Sequence, residues 1–295
     1  MSSYDYLIAC TSWEERFSEG IEHSCKTHAI ENMLLFGVSE FKHRVESPSQ
    51  DFLTKLPLKN KDFLMHYVSA FDDVSTWGSI KELFKTQKIE NKKVLLDIST
   101  MPRYLIWYLL HFLTANKNNV TYCYFSPASY EECQCLTDDP LSPRLIFKHS
   151  GIYLPDRSSI LIVQSGFDVD RVYQLIRSYE PEKLLLGVQV GNQLNNIDKN
   201  IKKHKENLNY QEIEHFEVDA FGEDHGYLAM ECQIAKYSES KNIIMASFGP
   251  KILAVEMFKL NKKYPEIGLV DVPVKVYNEK YSHGINLDNI QTGVV

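Results

Sequence analysis

Two stretches of the chain combine the residue types that bind small anions. Residues 94–103 read VLLDISTMPR, and residues 242–251 read NIIMASFGPK. Each is an apolar run, a polar turn and a proline followed by a cation, Arg103 or Lys251. Proline suits the first turn of a helix, because the N–H that it lacks would have no partner there. A helix start carries unsatisfied N–H groups and a partial positive charge, so each stretch predicts a site for an anionic group.

Two more polar turns follow apolar runs earlier in each half of the chain, at residues 11–14 and 165–168. Together the four turns offer cations, hydroxyl groups, glycine backbones and aromatic rings, which are the groups that hold phosphates and nucleobases. The candidate ligand-binding residues are Thr11, Ser12, Trp13, Ser99, Thr100, Met101, Arg103, Ser165, Gly166, Phe167, Ser247, Phe248, Gly249 and Lys251.

Acidic residues in or near these turns allow more than one role. Glu14 and Asp168 occupy matching positions and are the tentative catalytic residues. A carboxylate there can act as a general base, or it can only complement the dipole of the helix that follows. Asp97 ends an apolar run and either contacts a ligand or accepts hydrogen bonds from its own turn. The pairs at 72–73 and 223–224 have no histidine or third carboxylate fixed beside them, so we predict no metal site and no cofactor.

These turns need strands before them and helices after them. Alternating apolar runs and amphipathic segments predict an α/β fold with mainly parallel sheets. Several features of the first half recur in the second, in the same order and at nearly constant spacing. The pairs are 7–10 with 161–164, 34–38 with 184–188, 68–71 with 218–221, 102–103 with 250–251, and 126–127 with 272–273. We therefore predict an internal duplication, with two tandem Rossmann-like units at residues 1–150 and 151–295 related by a pseudo-twofold axis.

The predicted fold also says where a ligand binds. In open parallel sheets the binding crevice lies outside the carboxyl ends of the strands, and all four turns follow predicted strands. If the two units pack about a pseudo-twofold axis, the turns face one central pocket. The sequence therefore predicts a ligand pocket between the two halves.

The composition limits the partners. Among 295 residues, 39 are acidic and 32 are basic, for a net charge of −7. A groove for long DNA or RNA normally needs a basic excess, so we expect no long nucleic acid as a partner. No apolar run approaches the ~20 residues of a membrane span, no targeting segment precedes the first strand, and the cysteines lack zinc-site spacing. These features predict a cytoplasmic protein with reduced cysteines that does not enter a membrane.

The polar turn at 97–100, with Arg103 after it, resembles the strand-ending turn of CARF domains, the Rossmann-like sensors of CRISPR systems. The glycines usual in that turn are missing from the first half, whereas Gly249 and Lys251 partly restore the pattern in the second. The SAVED domain of bacterial antiphage signalling is similar to two such units fused in one chain. This resemblance implies binding of a cyclic oligonucleotide and a role in antiviral defence.

Three functions stay open on the sequence alone. The first is a ligand-sensing module that binds a small phosphate-bearing nucleotide and passes its state to a protein effector. The second is an enzyme, a phosphodiesterase or nucleotide hydrolase acting in the same pocket, although the chain lacks the P-loop, G-x-G-x-x-G, G-x-S-x-G and H-E-x-x-H motifs. The third is a structural subunit of a defence complex. The sequence leaves the oligomeric state open.

Overall fold

The computed structural model describes residues 2–45, 52, 63–131, 137–166, 168–190, 202, 204, 206 and 213–295. Within these residues strands and helices alternate along the chain, as the sequence predicts. The first elements are β1 (Ser3–Cys10), α1 (Glu15–Thr27), β2 (Ala29–Val38), β3 (Phe63–Val68), α2 (Asp73–Thr86), β4 (Lys93–Asp97), α3 (Arg103–Ala115), β5 (Asn119–Ser126) and β6 (Ser129–Tyr130). The elements that follow are β7 (Thr137–Pro140), β8 (Arg144–Leu145), β9 (Ser159–Gln164), α4 (Val169–Tyr179), β10 (Lys183–Gln189), β11 (Ile213–Val218), α5 (Tyr227–Tyr237), β12 (Asn242–Ser247), α6 (Ile252–Lys263), β13 (Gly268–Asp271), β14 (Val274–Tyr277), β15 (Ser282–His283) and β16 (Asn286–Val294).

Two six-stranded sheets share one topology. The first has the strand order β16-β5-β4-β1-β2-β3, in which β1 to β5 are parallel and β16 is antiparallel to β5. The second has the order β11-β10-β9-β12-β13-β8, in which β9 to β13 are parallel and β8 is antiparallel to β13. Counted within each unit, both sheets read 3-2-1-4-5 and end in one antiparallel strand. This repeat confirms the predicted α/β fold with two tandem parallel-sheet units.

The chain divides by contacts into one unit of Met1–Cys133 with Glu279–Val295, and a second unit of Gln134–Asn278. The division predicted from the sequence, at residue 150, differs from this at both ends. The C-terminal strand β16 pairs with β5 of the first unit, while β7 and β8 pair with β14 and β13 of the second. Because these pairings join strands far apart in sequence, the local pattern gave no sign of them.

The strand registers change one detail of the duplication. The sequence match aligns Gly37 with Gly187. Cys10 and Gln164 each end the first strand of a unit, and Cys10 pairs with Phe36 whereas Gln164 pairs with Gly187. Gly187 therefore occupies the position of Phe36, and the sequence match is out of register by one residue. A slip of one residue moves a side chain to the other face of a sheet, so the correction matters for the site.

Each sheet buries one apolar face against the first helix of its unit. Alternate residues of the first strand supply this face, as expected for a strand with two different surroundings. In the first unit the packed residues include Leu7, Ala9, Phe17 and Ile21. In the second unit they include Leu161, Val163, Val172 and Leu175. The remaining residues of β1 and β9 therefore face the opposite side of their sheets.

Both predicted helices are present, but each begins just after its proline rather than with the proline in its first turn. Pro102 is the N-cap of α3, and Lys251, after Pro250, is the N-cap of α6. The ranges 104–110 and 252–258 are buried on all sides. Helices buried all round need mostly apolar residues on every face, which these two sequences provide apart from Glu256, whose carboxylate pairs with Lys259 at 2.9 Å.

None of the helices in the described ranges has the length and apolar character needed to cross a membrane. Cys10, Cys25, Cys123 and Cys232 are thiols. The sequence also predicts a solvated polar helix over residues 195–209, of which only 202, 204 and 206 belong to the described residues. Cys133 and Cys135 lie outside the described residues.

Candidate ligand-binding turns at the strand ends

The turn after β1 uses its hydroxyl groups to bind its own backbone. Thr11 donates its N–H, at 2.8 Å, and its hydroxyl, at 3.2 Å, to the carbonyl oxygen of Phe36 at the end of β2. The hydroxyl oxygen of Ser12 accepts the N–H of Glu14 at 3.2 Å. Thr11 and Ser12 are buried. These two predicted ligand residues therefore fix the shape of the turn that leads into α1.

Trp13, in the same turn, belongs to a small stack of rings and a cation. Its ring lies edge-on to Phe41, with 6.1 Å between centroids, and the guanidinium carbon of Arg44 lies 5.8 Å from its centroid. Arg44 also forms an ion pair with Glu279 at 3.1 Å. The indole is half-buried. These contacts hold the Trp13 side chain in one place within the first unit.

The turn after β4 is closed by hydrogen bonds across three strands. Asp97 accepts the N–H of Ser99 at 2.8 Å and the Ser99 hydroxyl, whose oxygen in turn accepts the N–H of Phe125 at 2.8 Å. The Thr100 hydroxyl donates to the carbonyl oxygen of Cys10 at 2.7 Å. Met101 is fully buried. Of the two roles open to Asp97, the structure shows the one in which it organises its own turn.

The two predicted cations lie at helix starts. Arg103 is the first residue of α3, and Lys251 caps α6. Both are half-exposed. In each unit a cation therefore stands where the helix dipole also favours an anion.

The two turns of the second unit pack directly against each other. Ser165 donates its N–H and its hydroxyl to the carbonyl oxygen of Gly187, at 2.9 and 2.8 Å. The N–H groups of Phe248 and Gly249 both donate to the carbonyl oxygen of Gln164, at 2.8 and 3.1 Å. Gly166 lies so close to Phe248 that a Cβ atom would overlap the Phe248 carbonyl oxygen. Only glycine allows the two turns to approach this closely.

Phe167, a predicted ligand residue, lies outside the described residues. Ser247 and Gln164 end β12 and β9 and pair directly across these strands. The exposed fraction is 1% for Ser247 and 0% for Gln164. Among the residues that the structure describes, the Ser247 hydroxyl and both polar atoms of the Gln164 amide have no hydrogen-bond partner. Buried polar groups almost always have one, so this pair needs an explanation.

Glu14, the first tentative catalytic acid, is held by a buried arginine. Arg16 Nε donates to Glu14 Oε2 at 3.0 Å, and Arg16 Nη1 donates to the carbonyl oxygen of Phe125 at 3.1 Å. The Ser282 hydroxyl, from the C-terminal segment, also donates to Glu14 Oε2 at 2.6 Å. Burial works to lower the pKa of Arg16, but the Glu14 carboxylate together with Tyr124 and Tyr130 outweighs it, so the net effect is a raised pKa. The arginine therefore stays charged, and the Glu14 carboxylate is committed to it.

Asp168 also lies beside a buried arginine in the second unit, but as an ion pair without a hydrogen bond, and its Oδ1 has no hydrogen-bond partner among the described residues. Its Oδ2 lies 3.6 Å from Arg171 Nη1, and Arg171 Nη2 donates to Asp271 Oδ1 at 3.2 Å. The Arg171 guanidinium also lies over the ring of Phe248, 4.5 Å from its centroid. All three charged residues are buried. In both units, then, an acid before the first helix pairs with an arginine in its first turn that reaches toward the end of the fifth strand.

These arginines were not predicted from the sequence, although the sequence contains a signal for them. In both units an acid is followed within two or three residues by an arginine at a predicted helix start: Glu14 by Arg16 and Asp168 by Arg171. Lone arginines near a helix start look like solvated surface residues. Ser282 could not have been found, because it comes from a segment whose pairing only the fold reveals.

One acid of each of the other two pairs accepts a backbone N–H at a helix start. Asp72 accepts the N–H of Ser75 at 2.9 Å, and Asp224 accepts the N–H of Leu228 at 2.8 Å. Over the described part of the chain, no cluster of three or more histidine, cysteine, aspartate or glutamate residues is placed to hold a metal ion. Burial and the neighbouring Asp97 carboxylate raise the pKa of the Cys123 thiol, which disfavours the thiolate that would act as a nucleophile.

No family model matches the chain, and no curated protein matches it. Among solved structures, the chain is similar to a universal stress protein from Archaeoglobus fulgidus DSM 4304. The similarity has a TM-score of 0.30 and 11% sequence identity, and it covers 90% of this chain and 95% of that one. At this level the similarity carries no argument about function.

Proposed function

We propose that the chain is a ligand-sensing module that binds a small phosphate-bearing nucleotide at the carboxyl ends of its parallel strands. The ligand class that we favour is a cyclic oligonucleotide, and the role that we propose is antiphage defence signalling. We also propose that a protein effector receives the signal.

One observation carries the proposal. In each unit a helix starts beside the first strand of the sheet, and its first turn holds a half-exposed cation, Arg103 or Lys251. The strand order 3-2-1-4-5 reverses direction between the first and fourth strands, which is the switch point where α/β sheets bind their ligands. A helix start and a cation at that point favour a phosphate.

Hydrolysis of a nucleotide at the same place is less well supported. Its proposed general bases are Glu14 and Asp168, and both carboxylates are engaged by buried arginines. A general base has to reach the proton that it removes, and each of these carboxylates instead lies beside a buried arginine, Arg16 or Arg171.

Isothermal titration tests the proposal. The panel contains inorganic phosphate, AMP, cyclic di-AMP and cyclic tri-AMP. Loss of one charge-assisted phosphate contact costs about 1.5–3 kcal/mol, so Arg103→Ala or Lys251→Ala should weaken nucleotide binding by roughly 10- to 100-fold. Lys26→Ala is the matched control, because Lys26 is an exposed cation in the last turn of α1, away from the strand ends.

Absence of binding by the wild-type chain, or equal binding by the two turn variants and the control, would reject the proposal. Chromatography of the ligand after a day with stoichiometric protein separates sensing from cleavage. An intact ligand is the result expected for a sensor.

A further inference from the structure

The second unit has a polar layer at the switch point of its sheet. The layer consists of Gln164 on β9, Gly187 on β10 and Ser247 on β12, which lie side by side in register. Their neighbours Val163 and Ala246 belong to the apolar cluster that packs on α4, so the layer faces the opposite side of the sheet. The Gln164 side chain extends over Gly187, in the space that a side chain there would fill.

The same three positions of the first unit are apolar. Cys10 pairs with Phe36, and extending the register of β1 with β4 by two residues beyond the pair of Ile8 and Leu96 places Ile98 beside Cys10. The exposed fraction is 1% for Cys10 and 0% for both Phe36 and Ile98. Two copies of one topology therefore differ here, with an apolar layer in one and a polar layer without partners in the other.

Packing alone does not account for the polar layer. The Gln164 side chain fills the space left by the missing side chain at Gly187, but leucine or methionine at position 164 could fill that space equally well. An apolar side chain would fill the same space without burying an amide that has no partner. The Ser247 hydroxyl has the same difficulty, because alanine would fit a buried strand end without it. A partner that binds at this point satisfies both groups.

The layer lies directly below residues that water reaches. Gly166, Gly249 and Lys251 are half-exposed and belong to the two turns that follow β9 and β12. A Cβ atom at Gly249 would lie 3.1 Å from the Ser165 carbonyl oxygen and 3.9 Å from the Cβ of Gln164, so the turn after β12 packs closely against the end of β9, and glycine adds no side chain there. Lys251 follows Ser247 by four residues, at the start of α6.

We propose that Gln164 and Ser247 bind a neutral donor–acceptor group of the ligand, either a nucleobase edge or a ribose hydroxyl, while its phosphate lies at Lys251 and the start of α6. This inference rests on the proposed function and assigns the recognition of the uncharged part of the nucleotide to the second unit. A glutamine amide and a hydroxyl both donate and accept hydrogen bonds, so they suit such a group rather than a phosphate alone.

The test compares Gln164→Met and Ser247→Ala with the wild-type full-length chain by isothermal titration. The probes are cyclic di-AMP, AMP, ribose 5-phosphate and inorganic phosphate. Ser126→Ala is the matched control, because Ser126 also ends a strand, is fully buried and has an unpartnered hydroxyl among the described residues, but lies in the first unit. Gln164→Met should weaken binding of the nucleotides about tenfold, while inorganic phosphate binds as to wild type.

The four probes distinguish a ribose hydroxyl from a nucleobase edge as the group that is bound. If ribose 5-phosphate responds to Gln164→Met as AMP does, the group is the sugar; if only AMP and cyclic di-AMP respond, it is the base. Unchanged nucleotide binding by Gln164→Met and Ser247→Ala, or an equal loss in Ser126→Ala, overturns the inference and leaves the proposed function standing. A wild-type chain that binds none of the four probes removes the proposed function and this inference with it.

Discussion

Replacing Gln164 and Gln189 by methionine separates a buried amide that has partners from one that has none. Gln189 ends the strand next to β9, and its amide is fully engaged. Its Nε2 donates to the carbonyl oxygen of Val190 at 2.5 Å and to Asp219 Oδ1 at 3.2 Å, and its Oε1 accepts the N–H of Ala220 at 3.1 Å. Gln164 is more deeply buried and has no such contact among the described residues.

Methionine has nearly the length and volume of glutamine, so both substitutions leave the packing almost unchanged. Gln189→Met removes the hydrogen bonds just named and leaves the buried N–H of Ala220 without a partner. The free energy of unfolding should fall by about 1.5–4.5 kcal/mol, since each of the three hydrogen bonds contributes about 0.5–1.5 kcal/mol. Gln164→Met removes no such bond and takes an amide out of apolar surroundings, so it should be neutral or should stabilise by about 1 kcal/mol.

Urea denaturation without ligand measures both free energies. Trp13, Trp77 and Trp107 all lie in the first unit, so unfolding of the second unit is followed by circular dichroism rather than by tryptophan fluorescence. The denaturant slope should stay the same in both variants, so that a shift in midpoint reports stability alone. A loss in Gln164→Met as large as that in Gln189→Met would refute the reasoning, because Gln164 would then have an internal partner such as a bound water.

Two further predictions follow from the charged groups. Arg16→Met should lower the free energy of unfolding by about 2–4 kcal/mol, because it leaves the largely buried Glu14 carboxylate without its cation. Arg44→Met, at a more exposed ion pair, should lower it by under about 1 kcal/mol. Equal losses of the two variants in urea denaturation would contradict this. Burial lowers the pKa of His149 from its usual 6.5, partly offset by its hydrogen bond to Asn261. The unfolded chain therefore binds more protons than the folded chain below pH 6.5. As the pH is lowered below that value, the free energy of unfolding should fall by up to about 1.4 kcal/mol per pH unit. His149→Gln should flatten that part of the stability curve, and an unchanged slope would count against the assignment.

The sequence predicted the elements better than their partners. The positions of the strands, the two helices behind Pro102 and Pro250, and the repeat of one α/β pattern all follow from local signals: apolar runs, polar turns and proline at helix starts. The pairing of β16 with β5 and of β8 with β13 does not, because it joins strands far apart in the chain. The division at residue 150 was therefore placed where the pattern restarts, not where the contacts divide.

The candidate site was predicted by residue type but not by the state of each side chain. Arg103 and Lys251 lie at helix starts, as their positions after proline required. Thr11, Ser99 and Thr100 carry the hydroxyl groups that a phosphate needs, yet in the structure these groups bind neighbouring backbone or Asp97. A sequence shows which donors are present at a strand end, whereas only the fold shows which of them are already engaged.

The unequal use of polar groups in the two units suggests what the duplication made possible. In the first unit, Ser99 donates to Asp97, Thr100 donates to the carbonyl oxygen of Cys10, and both Cys10 and Ile98 are buried. That arrangement is stable without a ligand. In the second unit, Gln164 and Ser247 are buried with their hydrogen-bonding groups unused. A fold tolerates such a cost where the unsatisfied groups serve a binding function, and a second copy that is already closed lets the chain stay folded while it does so.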